Sequence, residues 1–265
     1  MNEPLLHNKS SIIYGAGGGI GSGVALEFAR QGARLFLAGR TREPLERVAE
    51  QAAALGAEAE VAIVDALNEE AVERHADSVV VAAGGLDVSI NLISRGDVQG
   101  RPLTEMTTED LMAPVITGLR TNFLTGRAAA RRMARQGSGV ILTVTSGSSH
   151  GAQPLMGGTG PADAAVESLL RYLAAENGPQ GVRVLGVWTA GVPETFALEH
   201  DSNETRRAIA ITPEQIEAMI GPRTMLGHAP RLAQVAQSIA FLASERAAGI
   251  TGTTLNVTCG LVPGP

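Results

Sequence analysis

Between Tyr14 and Gly21 the chain reads Tyr-Gly-Ala-Gly-Gly-Gly-Ile-Gly, after the apolar Ser11-Ile12-Ile13 and ahead of the helix-like segment 22–30. Glycines at a strand, turn and helix start suit one kind of chemistry. The backbone turns tightly, approaches a dinucleotide pyrophosphate, and presents it with the free amides of the helix N-terminus. Gly15, Gly19, Ile20 and Gly21 are therefore expected to bind a nucleotide cofactor. The next strand ends Leu37-Ala38-Gly39-Arg40-Thr41, beside the adenosine ribose, where an acid would take a free 2′-hydroxyl. Arg40 instead offers a planar, permanent charge suited to a 2′-phosphate, which favours NADP(H) over NAD(H). Asp65, closing the third strand, is placed either to meet the adenine edge or to cap the helix that begins near Asn68.

Such a pocket needs a sheet to carry it. Apolar, β-rich runs at 10–16, 33–39, 59–66, 86–94, 139–146, 182–190 and 253–258 alternate with helix-period segments. That alternation predicts an α/β fold, a Rossmann-type doubly wound sheet of seven parallel strands with helices on both faces. The helix after the second strand is well signalled: Thr41 as N-cap, Pro44 in the first turn, Leu45, Val48, Ala49 and Ala52 on one face, and Gly56 past the end. Two longer helices are expected over about 107–136 and 159–177. With no repeat and no linker, residues 1–265 form one domain. Residues 192–224 break the alternation, with Pro193, Glu199-His200-Asp201 and a short helical pattern at 213–220. Too long for an idle connection and set at the C-terminal end of a strand, this segment is read as a substrate lid.

Hydrophobic residues are 44% of the chain and aromatic ones only 3%, so the core is aliphatic, and the 32 glycines suit many strand-to-helix turns. A net charge of −6 without a basic run argues against nucleic acid as partner. Cys259 has no second cysteine to pair with, and neither a leader pattern nor a membrane-length apolar run is present. A soluble cytoplasmic protein that does not bind membranes is expected. His200, His228 and Cys259 stand apart, without metal-ligand spacing, so no metal is expected.

Taken together, the chain resembles the short-chain dehydrogenase/reductase superfamily over essentially its whole length. The likeness is carried by the glycine loop, Gly39-Arg40, Asp65, Leu86-Asp87-Val88 leading into Asn91, and Ile141-Leu-Thr-Val-Thr-Ser146. Further on come Arg183-Val184, Gly191 with Thr195 four residues later, and Phe241-Leu-Ala-Ser244 before Ile250-Thr-Gly252. The resemblance implies cofactor contacts for Asn91, Gly191 and Thr195, the last at the nicotinamide end. The family's proton chemistry uses Asn, Ser and a Tyr-x-x-x-Lys pair on one helix face. Ser146 matches the serine, but thirteen residues on stands Thr159, four further Asp163, and the asparagine position falls on Gly118. Tyr14 stands where threonine is usual.

A threonine hydroxyl has no accessible pKa near neutrality, so Thr159 can bind an oxygen but cannot act as a tuned general acid. Asp163 is expected to accept hydrogen bonds from the ribose. His150, four residues beyond Ser146, is the best substitute proton donor because an imidazole titrates near physiological pH. Ser148, Ser149 and Thr159 add hydrogen bonds, and Tyr172 is read as packing. The expected catalytic set is Ser146, His150, Thr159 and Asp163. The leading expectation is an NADP(H)-dependent short-chain oxidoreductase with a degenerate active site and a small-molecule substrate. A lyase or cyclase on the same fold and a catalytically silent cofactor-binding protein stay open as alternatives. In this family the long helices pack across two-fold axes, which implies a homo-oligomer, a tetramer.

Overall fold

The computed structural model describes residues 4–151, 153–196 and 211–263. Seven strands are interleaved with helices: β1 Ser10–Tyr14, α1 Gly19–Arg30, β2 Arg34–Gly39, α2 Arg42–Ala54, β3 Ala59–Ile63, α3 Glu69–Ala83, β4 Val88–Asn91, α4 Thr108–Gln136, β5 Gly139–Thr145, α5 Thr159–Asn177, β6 Val182–Thr189, α6 Pro213–Ile220, α7 Leu232–Ala243 and β7 Thr253–Val257. The sheet order is β3-β2-β1-β4-β5-β6-β7, and every neighbouring pair is parallel. This is the expected doubly wound architecture.

Alternation along the strands builds two cores. Ile13, Leu35, Leu37, Ile90 and Leu185 pack against Val24 and Phe28 of α1, Leu45 and Val48 of α2, and Val235 and Ile239 of α7. The neighbours one residue away, Ile12, Phe36, Ile141 and Val184, face Val72 of α3, Met133 of α4, and Val166 and Leu170 of α5. Local chemistry sets the helix ends. Asn68 accepts from the Ala71 amide at 3.0 Å to open α3, and Thr107 accepts from Asp110 N at 3.0 Å to open α4. Gly84 and Gly137 close them with φ of 76° and 80°.

All seven strands fall short of the apolar runs, three of them by two residues or more. β1 stops at Tyr14 because Gly15 turns at φ +81°. β3 stops at Ile63, and β4 covers only Val88–Asn91. Beyond Asn91 the chain bends as the Asn91 side chain takes the Ile93 amide at 3.1 Å. Thr41 does precede α2, yet its side chain makes no capping hydrogen bond. Tyr172 is 68% exposed on α5, not packed, since it stands off the buried stripe of Val166, Leu170 and Leu173.

Growth of the sheet reverses between β1 and β4. Open α/β sheets hold their ligands in the crevice at such a switch point.

Candidate functional site

Tyr14 pairs in register with Asn91, so the turns after β1 and β4 leave the sheet side by side. A Cβ on Gly15 would lie 2.7 Å from the Leu92 carbonyl oxygen, and one on Gly21 would strike the Gly15 carbonyl oxygen. Side chains are excluded from this turn, which leaves bare backbone. The N-terminus of α1 has neither a side-chain cap nor an acid in its first turn, so the amides of Gly19, Ile20 and Gly21 have no partner within the helix. That donor set fits a pyrophosphate.

At the end of β2, Arg40 is exposed and has no ion-pair partner among the described residues, whereas Arg42 pairs with Glu46 at 3.3 Å. Asp65 is exposed and accepts from Leu67 N at 3.0 Å. It shapes the turn before α3 and leaves the cap to Asn68. Asn91 is buried, its amide donating to Thr125 Oγ1 at 3.1 Å.

Thr195 is buried against the glycine loop. Its Oγ1 donates to Val192 O at 2.8 Å, and a Cβ on Gly19 would come within 2.7 Å of the Thr195 Cβ. Gly191 is equally close-packed, with an added Cβ 2.7 Å from Ile220 of α6. Among the described residues of the expected lid, Thr195 thus packs on the glycine loop and α6 on Ala190 and Gly191, just beyond β6. Residues 197–210, which include His200, lie outside the described residues.

The chemistry expected around Ser146 takes a different form. Asp163 is fully buried, 0% exposed. Its Oδ2 accepts from Ser146 Oγ at 2.6 Å, Ser146 N at 3.0 Å and Ser148 N at 3.2 Å, and its Oδ1 accepts from Arg95 Nη1 at 2.5 Å. With those acceptors engaged, the carboxylate serves the protein itself, not the ribose contact expected from the sequence. The one Ser146 hydroxyl proton points at Asp163, so Ser148 Oγ, 2.7 Å away, donates to Ser146 Oγ.

Arg95 comes from the loop after β4. It reaches Asp163 across Gly118, where an added Cβ would fall 2.6 Å from the Arg95 Cδ. Its Nε is 3.5 Å from Asp97. Burial works against the guanidinium charge, but Asp97 and Asp163 outweigh it and hold the pKa above the ordinary value. From the same loop, Gln99 Nε2 donates to Thr159 Oγ1 at 3.1 Å, and Thr159 is 2% exposed. Both α5 positions expected to do chemistry are therefore held by this loop. Tyr14 offers no replacement phenol. It is buried edge-on against His75, and burial pushes its pKa well above the usual tyrosine range.

One helical turn after Asp163, Glu167 forms a second buried centre. It accepts from Trp188 Nε1 at 2.9 Å, Thr145 Oγ1 at 3.2 Å, Ser149 Oγ at 2.9 Å and His150 Nε2 at 3.2 Å. The His150 ring lies 4.4 Å from that of Trp188. His150 is thus no loose loop histidine. Two carboxylates four residues apart on α5 together bind Ser146, Ser148, Ser149 and His150. Arg95, Gln99, Glu167 and Trp188 were not evident as site residues in the sequence.

No group of three metal-ligating side chains occurs among the described residues, and no described helix is long and apolar enough to cross a membrane. Cys259 and His228, far apart in sequence, meet at 3.9 Å.

The family described as enoyl-(acyl carrier protein) reductase matches residues 15–262. A short-chain dehydrogenase/reductase of Armillaria gallica is 30% identical over 96% of this chain and 96% of its own. The chain belongs to the short-chain dehydrogenase/reductase family. L-rhamnose 1-dehydrogenase (NAD(P)(+)) of Azotobacter vinelandii is 32% identical over 97% of this chain and 98% of its own. A solved structure of 7α-hydroxysteroid dehydrogenase complexed with NADH and 7-oxo glycochenodeoxycholic acid superposes with a TM-score of 0.84 at 26% identity, covering 98% of this chain and 97% of that one.

Proposed function

We propose that this short-chain dehydrogenase/reductase is an NADP(H)-dependent oxidoreductase whose active site is non-standard. Its proton chemistry runs through His150, not through a Tyr-x-x-x-Lys pair on α5. The observation that carries this reading is the division of the pocket. Thr159 and Asp163 are buried and engaged by Gln99 and Arg95, while the half-exposed His150 is held in place by Glu167.

The nicotinamide supplies or accepts the hydride. Gly15, Gly19, Ile20 and Gly21 would hold its pyrophosphate, with Thr195 packed beside them, and Arg40 would take the 2′-phosphate. Gly191 and Asn91 set the shape of the crevice floor, and Asp65 stands at the adenine side. Asp163 fixes Ser146 and Ser148, and because the Ser146 hydroxyl donates to Asp163, Ser146 has no proton free for a substrate in this arrangement. The substrate is a small molecule carrying a secondary alcohol or the matching carbonyl, a reading supported by the hydroxyl and oxo groups named for the 7α-hydroxysteroid dehydrogenase and its ligand.

Met112, Ile116, Leu119 and Phe123 form an exposed apolar stripe along α4, and Tyr172 is exposed on α5. We infer that these faces are covered in a homotetramer.

A second reading rests on the same division of the pocket. Arg95 and Gln99 covering the α5 positions would also suit a protein that binds the cofactor without turnover. Titration with NADPH and NADH, followed by assays of L-rhamnose and 7α-hydroxysteroids with NADP+, separates the two. Binding with turnover bears out the oxidoreductase, binding without turnover favours the silent protein, and no binding overturns both.

A further inference from the structure

Glu167 has a role that the family resemblance does not supply. A carboxylate only accepts hydrogen bonds, so the His150 nitrogen facing it must carry the hydrogen. That nitrogen is Nε2, at 3.2 Å. A neutral imidazole has one N–H, so the lone pair sits on Nδ1, which has no hydrogen-bond partner among the described residues. The side chain is 39% exposed, and the Trp188 ring, tilted by 46° at 4.4 Å, limits how the imidazole can turn.

Glu167 itself is 4% exposed and fixed independently of His150. Ser149 Oγ bridges both of its oxygens at 2.9 Å, and Trp188 and Thr145 donate to Oε1. We propose that His150 and Glu167 are an acid–base dyad in which Nδ1 of His150 exchanges the proton, with Glu167 and Trp188 as positioning residues.

The dyad's catalytic role rests on the oxidoreductase reading, whereas its geometry does not. In the oxidative direction the substrate O–H bond breaks and its proton goes to Nδ1. The hydride leaves carbon for NADP+, and the C–O bond becomes C=O; reduction reverses each transfer. Glu167 compensates the charge that appears on the ring. Around the dyad, Asp163 is already paired with Arg95 one helical turn away, and Arg223 reaches Gln153 Oε1 at 3.4 Å across the same loop.

The test is long-range 1H–15N NMR on protein labelled at histidine, comparing wild type with Glu167→Gln. The expected wild-type spectrum shows a protonated Nε2 whose hydrogen exchanges slowly with water, and a bare Nδ1. In Glu167→Gln that slow exchange is lost. His150→Gln gives a second arm, because its amide nitrogen can still donate to Glu167 while nothing replaces Nδ1. It should bind NADPH like wild type and lose about 100-fold or more in turnover. The opposite tautomer, an Nε2 hydrogen unaffected by Glu167→Gln, or undiminished turnover in His150→Gln overturns the dyad. Failure of wild type to turn over overturns the oxidoreductase reading instead, and the tautomer result then decides the dyad by itself.

Discussion

Arg95 Nη1 lies 2.5 Å from Asp163 Oδ1, joining the loop after β4 to the first turns of α5 across 68 residues of sequence. The pair accounts for Gly118, since a side chain there would occupy the path of Arg95. Positions 95, 118 and 163 therefore form one unit, and changing one of them strands the others.

Asp163→Ala leaves Arg95 with a single partner and strips Ser146 and Ser148 of their acceptor, so it should cost about 3–5 kcal/mol of stability. Arg95→Ala should cost a similar amount by leaving a buried carboxylate unpaired. The double variant should cost clearly less than the sum, as read from urea unfolding midpoints. Additive losses would show that the two side chains are not coupled.

Placing a Tyr-x-x-x-Lys pair on α5 by Thr159→Tyr with Asp163→Lys should fail for the same reason. A lysine at 163 meets the Arg95 charge at contact distance. Adding Arg95→Ala should restore folding, as measured by thermal unfolding. A repaired protein as stable as wild type with Arg95 still in place would count against the unit.

Arg40 is exposed and without an ion pair among the described residues. A charge-assisted contact with a 2′-phosphate contributes about 1.5–3 kcal/mol, so NADPH should bind at least about tenfold more tightly than NADH. Fluorescence titration of both cofactors with wild type and Arg40→Ala reads the ratio. Equal affinities in wild type would remove the NADP(H) assignment.

His75 on α3 packs edge-on against Tyr14, and burial lowers its pKa from 6.5 to about 4, with Glu60 opposing weakly. Between those values the unfolded chain takes up a proton that the folded chain does not. Stability is thus full above about pH 6.5 and falls as the pH drops towards about 4, by up to about 3 kcal/mol. Urea unfolding across that window should show a shallower slope for His75→Leu than for wild type, and an unchanged slope would refute the assignment.

The glycine loop and the strand–helix alternation were legible because each is written in residues within a short window, whereas the cap of α3, offered to Asp65, falls to Asn68 and Thr41 makes no capping hydrogen bond. The site around Ser146 was legible only in part. Its residue types could be read, but Asp163 was assigned to the ribose and Glu167 was passed over. A signal was present. Asp163 and Glu167 sit four apart among Ala162, Val166 and Leu170, and acids on an apolar helix face must be buried and must find donors. The sequence does not show which donors, because Arg95 and Trp188 reach α5 from 68 residues upstream and 21 downstream.

The measurement that bears most directly on the proposed assignment of proton chemistry to His150 is a side-by-side turnover assay of wild type, Thr159→Ala and His150→Gln. It uses NADP+ and a secondary alcohol that wild type oxidises. Thr159→Ala should stay close to wild type, because its hydroxyl is buried beneath Gln99, and His150→Gln should lose most of the rate. Loss of turnover in Thr159→Ala with full turnover in His150→Gln would contradict the assignment and return the proton chemistry to the first turn of α5.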